Sequence, residues 1–301
     1  MAAAQSENHD TPQGLAFAIT AYCLWGFLPI YLKAVSYMPV GEILVHRILW
    51  SVPVAGAVLI VLRRTADLRE ALRNPRMLVM ATVTAALISV NWVTYIWAID
   101  TGQALDAALG YYINPLFSVF LGAVLLGERL GRLQMVAIAL AVLAVLVLTY
   151  ETGRVPWVAL VLSVSWGFYA LAKKSLPLGP NQGFLLEAMI LSVPALGYAI
   201  WLATQGEGHF LAGSWRDTLL LMGAGPVTAI PLIFYANGAK LLRLSTIGFL
   251  QYIAPTLIMC VAVFVFGEPF GEARMIAFPM IWAALVVFSI PMIRSLRARR
   301  G

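Results

Sequence analysis

Four ionisable residues stand inside long apolar runs of this sequence: Glu42, His46 and Arg47 in one run, Glu187 in another. A charge at bilayer depth is costly, so such groups point to a proton, an ion or a charged substrate group. Glu42 and His46 are four residues apart and share one helix face, with Arg47 one step round it. The trio suits a charged gate or substrate anchor near the outer mouth, with His46 titrating near neutral pH. It equally suits an internal ion pair that fixes its helix. Glu187 suits a proton-binding carboxylate or a counter-ion for a cationic substrate group, and also a salt bridge to Lys173 or Lys174.

Uncharged polar groups form a second set. Asn91, Thr94, Tyr95 and Ala98 recur at helical spacing, flanked by Trp92 and Trp97. Facing lipid, the Asn91 amide would be unsatisfied, so this stripe is expected to look inward, toward substrate or a neighbouring helix. Tyr111, Tyr112 and Asn114 precede Pro115, and Gln251 and Tyr252 precede Pro255. A proline inside a helix removes one amide donor and clashes with the carbonyl four residues back. Interrupted helices in corresponding positions of two halves mark transporter binding sites; a simple packing kink is the plainer alternative. Pro29 is a further hinge candidate. Glu128 and Glu268 each follow a glycine, and are expected to cap the next helix or to pair with Arg132 and Arg274.

None of this makes an enzyme. His9 and His209 lie outside the apolar runs, and there is no HExxH, GxSxG, P-loop or strand-borne GxGxxG motif. No catalytic residue, metal site, cofactor or ATP dependence is expected. Cys23 and Cys260 lie in apolar runs and read as small buried hydrophobes.

The elements that carry these groups follow from composition. Of 301 residues, 61% are apolar and only 11% charged, whereas a soluble domain has about a quarter charged. Mean hydropathy is +0.86. Such a chain cannot cover itself in polar side chains and belongs in a lipid bilayer. The predicted fold is an all-α polytopic membrane protein with ten spans: 14–34, 43–62, 77–98, 104–126, 132–150, 156–174, 183–203, 217–237, 244–266 and 273–293. Continuous Leu- and Ala-rich runs argue against a β-barrel. The net charge of +6 marks loops and not nucleic acid. Arg63, Arg64, Arg69, Arg73, Arg76, Arg129, Arg132, Lys173, Lys174, Lys240, Arg243 and the arginines after 293 collect on one side. Lys33, Arg154, Arg216 and Arg274 fall on the other. This imbalance predicts that both termini are cytoplasmic.

The chain also repeats itself. Trp25-Gly26-Phe27 recurs as Trp166-Gly167-Phe168, and Ser51-Val52-Pro53 as Ser192-Val193-Pro194. Tyr112-Ile113 with Pro115 recurs as Tyr252-Ile253 with Pro255, and Gly127-Glu128 as Gly267-Glu268. Ordered matches at nearly one offset (141 and 140), near half the chain length, mean duplication. Five spans per half reverse the second half, giving two inverted five-helix repeats. The predicted organisation is a cytoplasmic N-terminal tail (1–13), a first repeat (14–150), a second repeat (151–293) and a basic cytoplasmic C-terminal tail (294–301).

The motifs resemble the EamA domains of the drug/metabolite transporter superfamily. Glu42-Ile43-Leu44-x-His46-Arg47-x-x-Trp50-Ser51, Asn91-Trp92, Leu109-Gly110-Tyr111-x-Ile113-Asn114-Pro115 and Leu126-Gly127-Glu128-Arg129 are similar to the RarD branch. So is Gly248-Phe249-x-Gln251-Tyr252-Ile253-x-Pro255-Thr256. The resemblance covers roughly 14–295. It implies a bacterial inner-membrane carrier with a central cavity, whose partners are a small-molecule substrate and the lipid bilayer. The expected function is a permease exporting small amphipathic metabolites, such as amino acids, by alternating access. The alternative is proton-coupled efflux of chloramphenicol-like drugs; a channel or lipid scramblase stands further back. The substrate-binding candidates are Glu42, His46, Arg47, Asn91, Trp92, Tyr95, Tyr111, Tyr112, Asn114, Glu187, Gln251 and Tyr252.

Overall fold

The computed structural model describes residues 10–61, 65–127 and 130–298. In chain order the helices are α1 (Pro12–Ala34), α2 (Val40–Val61), α3 (Ala66–Arg73), α4 (Pro75–Asp100), α5 (Ala104–Leu126), α6 (Arg132–Thr152), α7 (Trp157–Ser175) and α8 (Pro180–Gln205). They are followed by α9 (Trp215–Lys240), α10 (Leu244–Leu250), α11 (Ile253–Cys260), a π-helical turn (Val261–Val265) and α12 (Gly271–Ala298). Residues 1–9 of the N-terminal tail, Arg63, Arg64, Glu128, Arg129, Arg299 and Arg300 lie outside the described residues.

The helix ends follow local chemistry. Thr11 accepts from the Gly14 amide at 3.0 Å, and Pro12 opens α1 without losing a needed donor. Gly127, Gly153 and Gly206 close α5, α6 and α8 in the left-handed region, where a Cβ would be strained. Gly127 and its counterpart Gly267 have φ of 67° and 69°, which explains the glycine of the repeated Gly-Glu motif.

Among the described residues, 9 stretches are long and apolar enough to cross a membrane. The sequence predicts ten; the missing one is α7, which has 19 residues and ends in Lys173 and Lys174. Two other expectations are corrected. The span predicted over 244–266 is not one helix but α10, a turn at Gln251 and Tyr252, α11 and the π-helical turn. Pro255 cannot donate to the Gln251 carbonyl, and the chain breaks there; the equivalent Pro115 leaves α5 continuous. The charged linker before Arg76 contains the amphipathic helix α3, too short and polar to register as an apolar run.

Outward-facing apolar side chains such as Ile60, Val79, Leu146, Val193, Phe264 and Val286 are exposed, as lipid contact requires. The interior is a continuous apolar cluster running through α1, α2, α4–α7, α9, α11 and α12.

The packing is two-fold. Exchanging the halves maps α1 onto α7, α2 onto α8, α4 onto α9, α5 onto α10–α11, and α6 onto α12. The α1–α9 interface then becomes α7–α4, α2–α9 becomes α8–α4, and α1–α11 becomes α7–α5; all six are formed. The α2–α8, α5–α11 and α6–α12 interfaces map onto themselves, so the relating axis runs through them. Detail follows the same rule. A Cβ on Gly26 would come 2.5 Å from the Leu257 Cβ, and one on Gly167 would come 2.5 Å from the Phe117 ring. Those glycines are repeat-related, and so are the residues that fill them.

Connections meet at two ends. At one, Thr11 bonds to the Leu241 carbonyl and Gln182 to Asp67. At the other, His209 bonds to Glu42, Tyr37 to Asp217, and the Ala104 amide to Glu268. That is the sorting expected of segments that cross alternately.

Candidate functional site

Arg47 lies about two turns into α2, where its side chain meets α4 and α9, and it is 5% exposed. Its Nε donates to Thr228 Oγ1 at 2.7 Å. The guanidinium lies over the Trp92 ring, 4.6 Å from its centroid, a cation–π contact. Tyr31, Tyr95 and Tyr111 are its electrostatic neighbours. No acidic side chain pairs with it among the described residues. Arg47 Nη1 and the Tyr95 hydroxyl are buried with no hydrogen-bond partner among the described residues. The Asn114 Oδ1, one turn along α5 from Tyr111, is in the same condition.

Around this core the polar stripe of α4 looks inward, as expected: Asn91 and Tyr95 are 1% and 3% exposed. Asn91 spends its amide on the neighbouring helix, donating to the Leu162 carbonyl at 3.1 Å and to Ser165 Oγ at 3.0 Å. Its Oδ1 accepts from the Tyr111 hydroxyl at 3.3 Å, and the Tyr95 and Tyr111 rings meet edge to face. Asn91 thus joins α4 to α7 while aiming Tyr111 at the cluster. Trp92 reaches the other way and touches Phe184 of α8.

Glu187 lies in the second half, two turns into α8 and 2% exposed. It accepts from Lys173 Nζ at 2.5 Å, Thr84 Oγ1 at 2.6 Å and the Tyr169 hydroxyl at 3.2 Å. The structure therefore realises the salt bridge among the two roles that the sequence allows it.

Glu42 and His46 do not pair with each other. Glu42 accepts from His209 Nδ1 at 2.8 Å and from the His209 and Phe210 amides at 2.6 and 3.3 Å. The segment between α8 and α9 is thereby pinned over the start of α2. Phe210 is folded inward, its ring 4.6 Å from His46, while Trp50 Nε1 donates to His46 Nδ1 at 3.2 Å.

Tyr112 and Tyr252, equivalent in the two halves, stack across the relating axis with centroids 6.4 Å apart, and the Tyr112 hydroxyl bonds Thr256 at 2.7 Å. Gln251 turns back onto the Gly248 carbonyl, beside Tyr252. Pro29 lies buried within α1. Glu268 caps α5 by accepting from the Ala104 and Leu105 amides at 2.8 and 2.9 Å, and not the helix that follows it. Arg274 pairs with Asp106 at 2.8 Å instead of with Glu268. Glu128 lies outside the described residues.

Sequence reasoning misses Thr228, Tyr31, Thr84, Tyr169, His209 and Phe210. The available signal was physical necessity: a carboxylate such as Glu42 inside an apolar run must find donors, and His209 lies in a loop outside the apolar runs.

Buried polar clusters between two similarly packed halves, in a bundle of membrane-length apolar helices, define a multi-pass helical membrane protein. Residues 12–150 match the family model described as EamA-like transporter family. The chain is 43% identical to "Protein RarD" of Streptomyces exfoliatus, over 99% of this chain and 94% of that one. It is 40% identical to an "Uncharacterized transporter" of Vibrio cholerae, over 98% and 97%. A solved crystal structure shares the fold at a TM-score of 0.58 and 20% identity, over 92% of this chain and 97% of that one. The chain belongs to the EamA-like transporter family, in its RarD branch, and is a permease of the drug/metabolite type.

Proposed function

We infer that this permease exports small amphipathic metabolites, amino acids among them, by alternating access. The observation that carries the reading is the Arg47 cluster. It places a charged group, unpartnered hydroxyl and amide atoms and aromatic faces where two inverted repeats (14–150 and 151–293) meet. Polar groups inside a membrane are retained for substrate, ion or proton handling. Inverted repeats give two similar shapes, open to opposite sides, with the site between them. Glu42, His46 and Phe210 form the outer gate; Trp92, Tyr95, Tyr111 and Asn114 line the site; Pro29, Pro115 and Pro255 let their helices bend. Tyr112, Gln251 and Tyr252 lie on the path between the halves.

Proton-coupled drug efflux is less favoured, because Glu187 is already held by a lysine and two hydroxyls in this state. By the excess of Lys and Arg, the end of the bundle with Lys173, Lys174, Lys240 and Arg243 is read as cytoplasmic, with both termini on that side of a bacterial inner membrane. Uptake of labelled amino acids and of chloramphenicol into proteoliposomes tests the reading. Saturable amino-acid flux supports it; saturable chloramphenicol flux that collapses with the pH gradient replaces it with the alternative.

A further inference from the structure

Arg47 is a buried cation that no acidic side chain among the described residues neutralises. Every buried acid among the described residues is already engaged. Glu42 is held by His209 and two amides, Glu187 by Lys173, Thr84 and Tyr169, Asp106 by Arg274, and Glu268 by the Ala104 and Leu105 amides. Arg47 keeps one neutral hydrogen bond, to Thr228, and one aromatic face, Trp92. An ion taken out of water without a counter-charge is strongly disfavoured, more so among membrane helices. Such an arrangement persists where the missing charge arrives with the ligand.

We propose that the substrate carries a carboxylate, and that Arg47 is its anchor. The proposal rests on the permease reading above and names the substrate class of that same site. The guanidinium fork matches a carboxylate, and the free Nη1 supplies the donor. The unpartnered Tyr95 hydroxyl is a second donor, while the unpartnered Asn114 Oδ1 is an acceptor for an ammonium or amide hydrogen elsewhere on the molecule. Trp92 and Tyr111 offer apolar faces for its body. One uncompensated cation fits one negative charge, so monocarboxylates and zwitterions fit while dianions, amines and neutral drugs do not.

The test uses purified full-length protein in detergent and four probes of one shape: 3-phenylpropionate, phenylalanine, 3-phenylpropanamide and 3-phenylpropylamine. The two carboxylates should raise the melting midpoint in a concentration-dependent way, and the amide and amine should not. Arg47→Gln should weaken carboxylate binding roughly ten- to a hundredfold, and Arg47→Lys should restore part of it. Ligand-free Arg47→Met should melt higher than wild type, because an uncompensated buried charge is gone; a purely structural arginine would give the opposite sign. Should the Arg47 variants fail to fold, Tyr95→Phe reads the same site and should weaken carboxylates alone. Equal binding of all four probes, no binding of the carboxylates, or a lower melting point for ligand-free Arg47→Met overturns the proposal. If the amide or amine is nonetheless transported with saturation, the export reading survives that failure. If carboxylates bind at Arg47 but no probe crosses the membrane, the anchor stands and the export reading falls.

Discussion

Arg47 and Glu187 occupy neighbouring repeat-related positions on α2 and α8, the helices that face each other across the axis relating the halves, yet only Glu187 has a counter-charge. Each donates to or accepts from a threonine of the helix packed behind it, Thr228 for Arg47 and Thr84 for Glu187. Duplication supplied the frame; divergence placed a compensated anion in one half and an uncompensated cation in the other. The halves are therefore alike in shape and unlike in charge.

That difference separates two kinds of variant. Removing Glu187 strands Lys173, whose side chain is 21% exposed, beside apolar surface. Glu187→Gln should destabilise by about 3 kcal/mol, somewhat less if Lys173 reaches the interface. The double variant Glu187→Gln/Lys173→Met should recover most of the loss. Thermal melts of the three proteins check this.

The segment between α8 and α9 hangs on Glu42. With three donors held by one carboxylate, Glu42→Gln should release the stretch carrying His209 and Phe210. In a Phe210→Cys background with Cys23 and Cys260 replaced, reaction with a membrane-impermeant maleimide should speed up at least about tenfold on adding Glu42→Gln, since a lost charge-assisted hydrogen bond costs about 1.5–3 kcal/mol. An unchanged labelling rate would mean that the Glu42 carboxylate does not hold this segment.

What the sequence disclosed and what it withheld divide along range. The apolar runs and the Gly127/Gly267 breaks are local patterns: nine of the ten runs reappear as membrane-length apolar stretches among the described residues, and both glycines take the left-handed turn. The inward stripe Asn91–Tyr95 was legible for the same reason, because helical periodicity and the cost of an unsatisfied amide are both local. Partners were not legible. That Glu42 meets His209, that Glu268 caps α5 and that Arg47 leans on Thr228 depend on helices more than a hundred residues apart in the chain. Pro255 showed where the ninth span would be disturbed, but not that it would break into separate segments while Pro115 leaves its helix whole.

Close approach of α2 and α9 depends on Gly225. A Cβ there would lie 2.2 Å from the Trp50 carbonyl carbon, a backbone atom that cannot rotate away. Gly225→Ala should cost about 1–3 kcal/mol by forcing the helices apart and should displace Thr228 from Arg47. Gly56→Ala, on the same α2 with nothing within 4 Å of the added Cβ, should be neutral or stabilising by about 0.5–1 kcal/mol. Paired melts of the two variants decide the matter.

Glu268, in the segment before α12, joins the halves by capping α5. Glu268→Ala should destabilise by about 1–2 kcal/mol, with Glu268→Gln retaining part of the cap. Faster amide hydrogen exchange at Ala104 and Leu105 would locate the effect.

The central claim, a carrier whose inverted halves expose one site to each side in turn, is tested most directly by counterflow. Proteoliposomes loaded with unlabelled phenylalanine should take up external labelled phenylalanine faster than empty ones, with uptake saturating, and Arg47→Gln should abolish the acceleration. Uptake that rises linearly with concentration, indifferent to what is loaded inside and unaltered by Arg47→Gln, would contradict it.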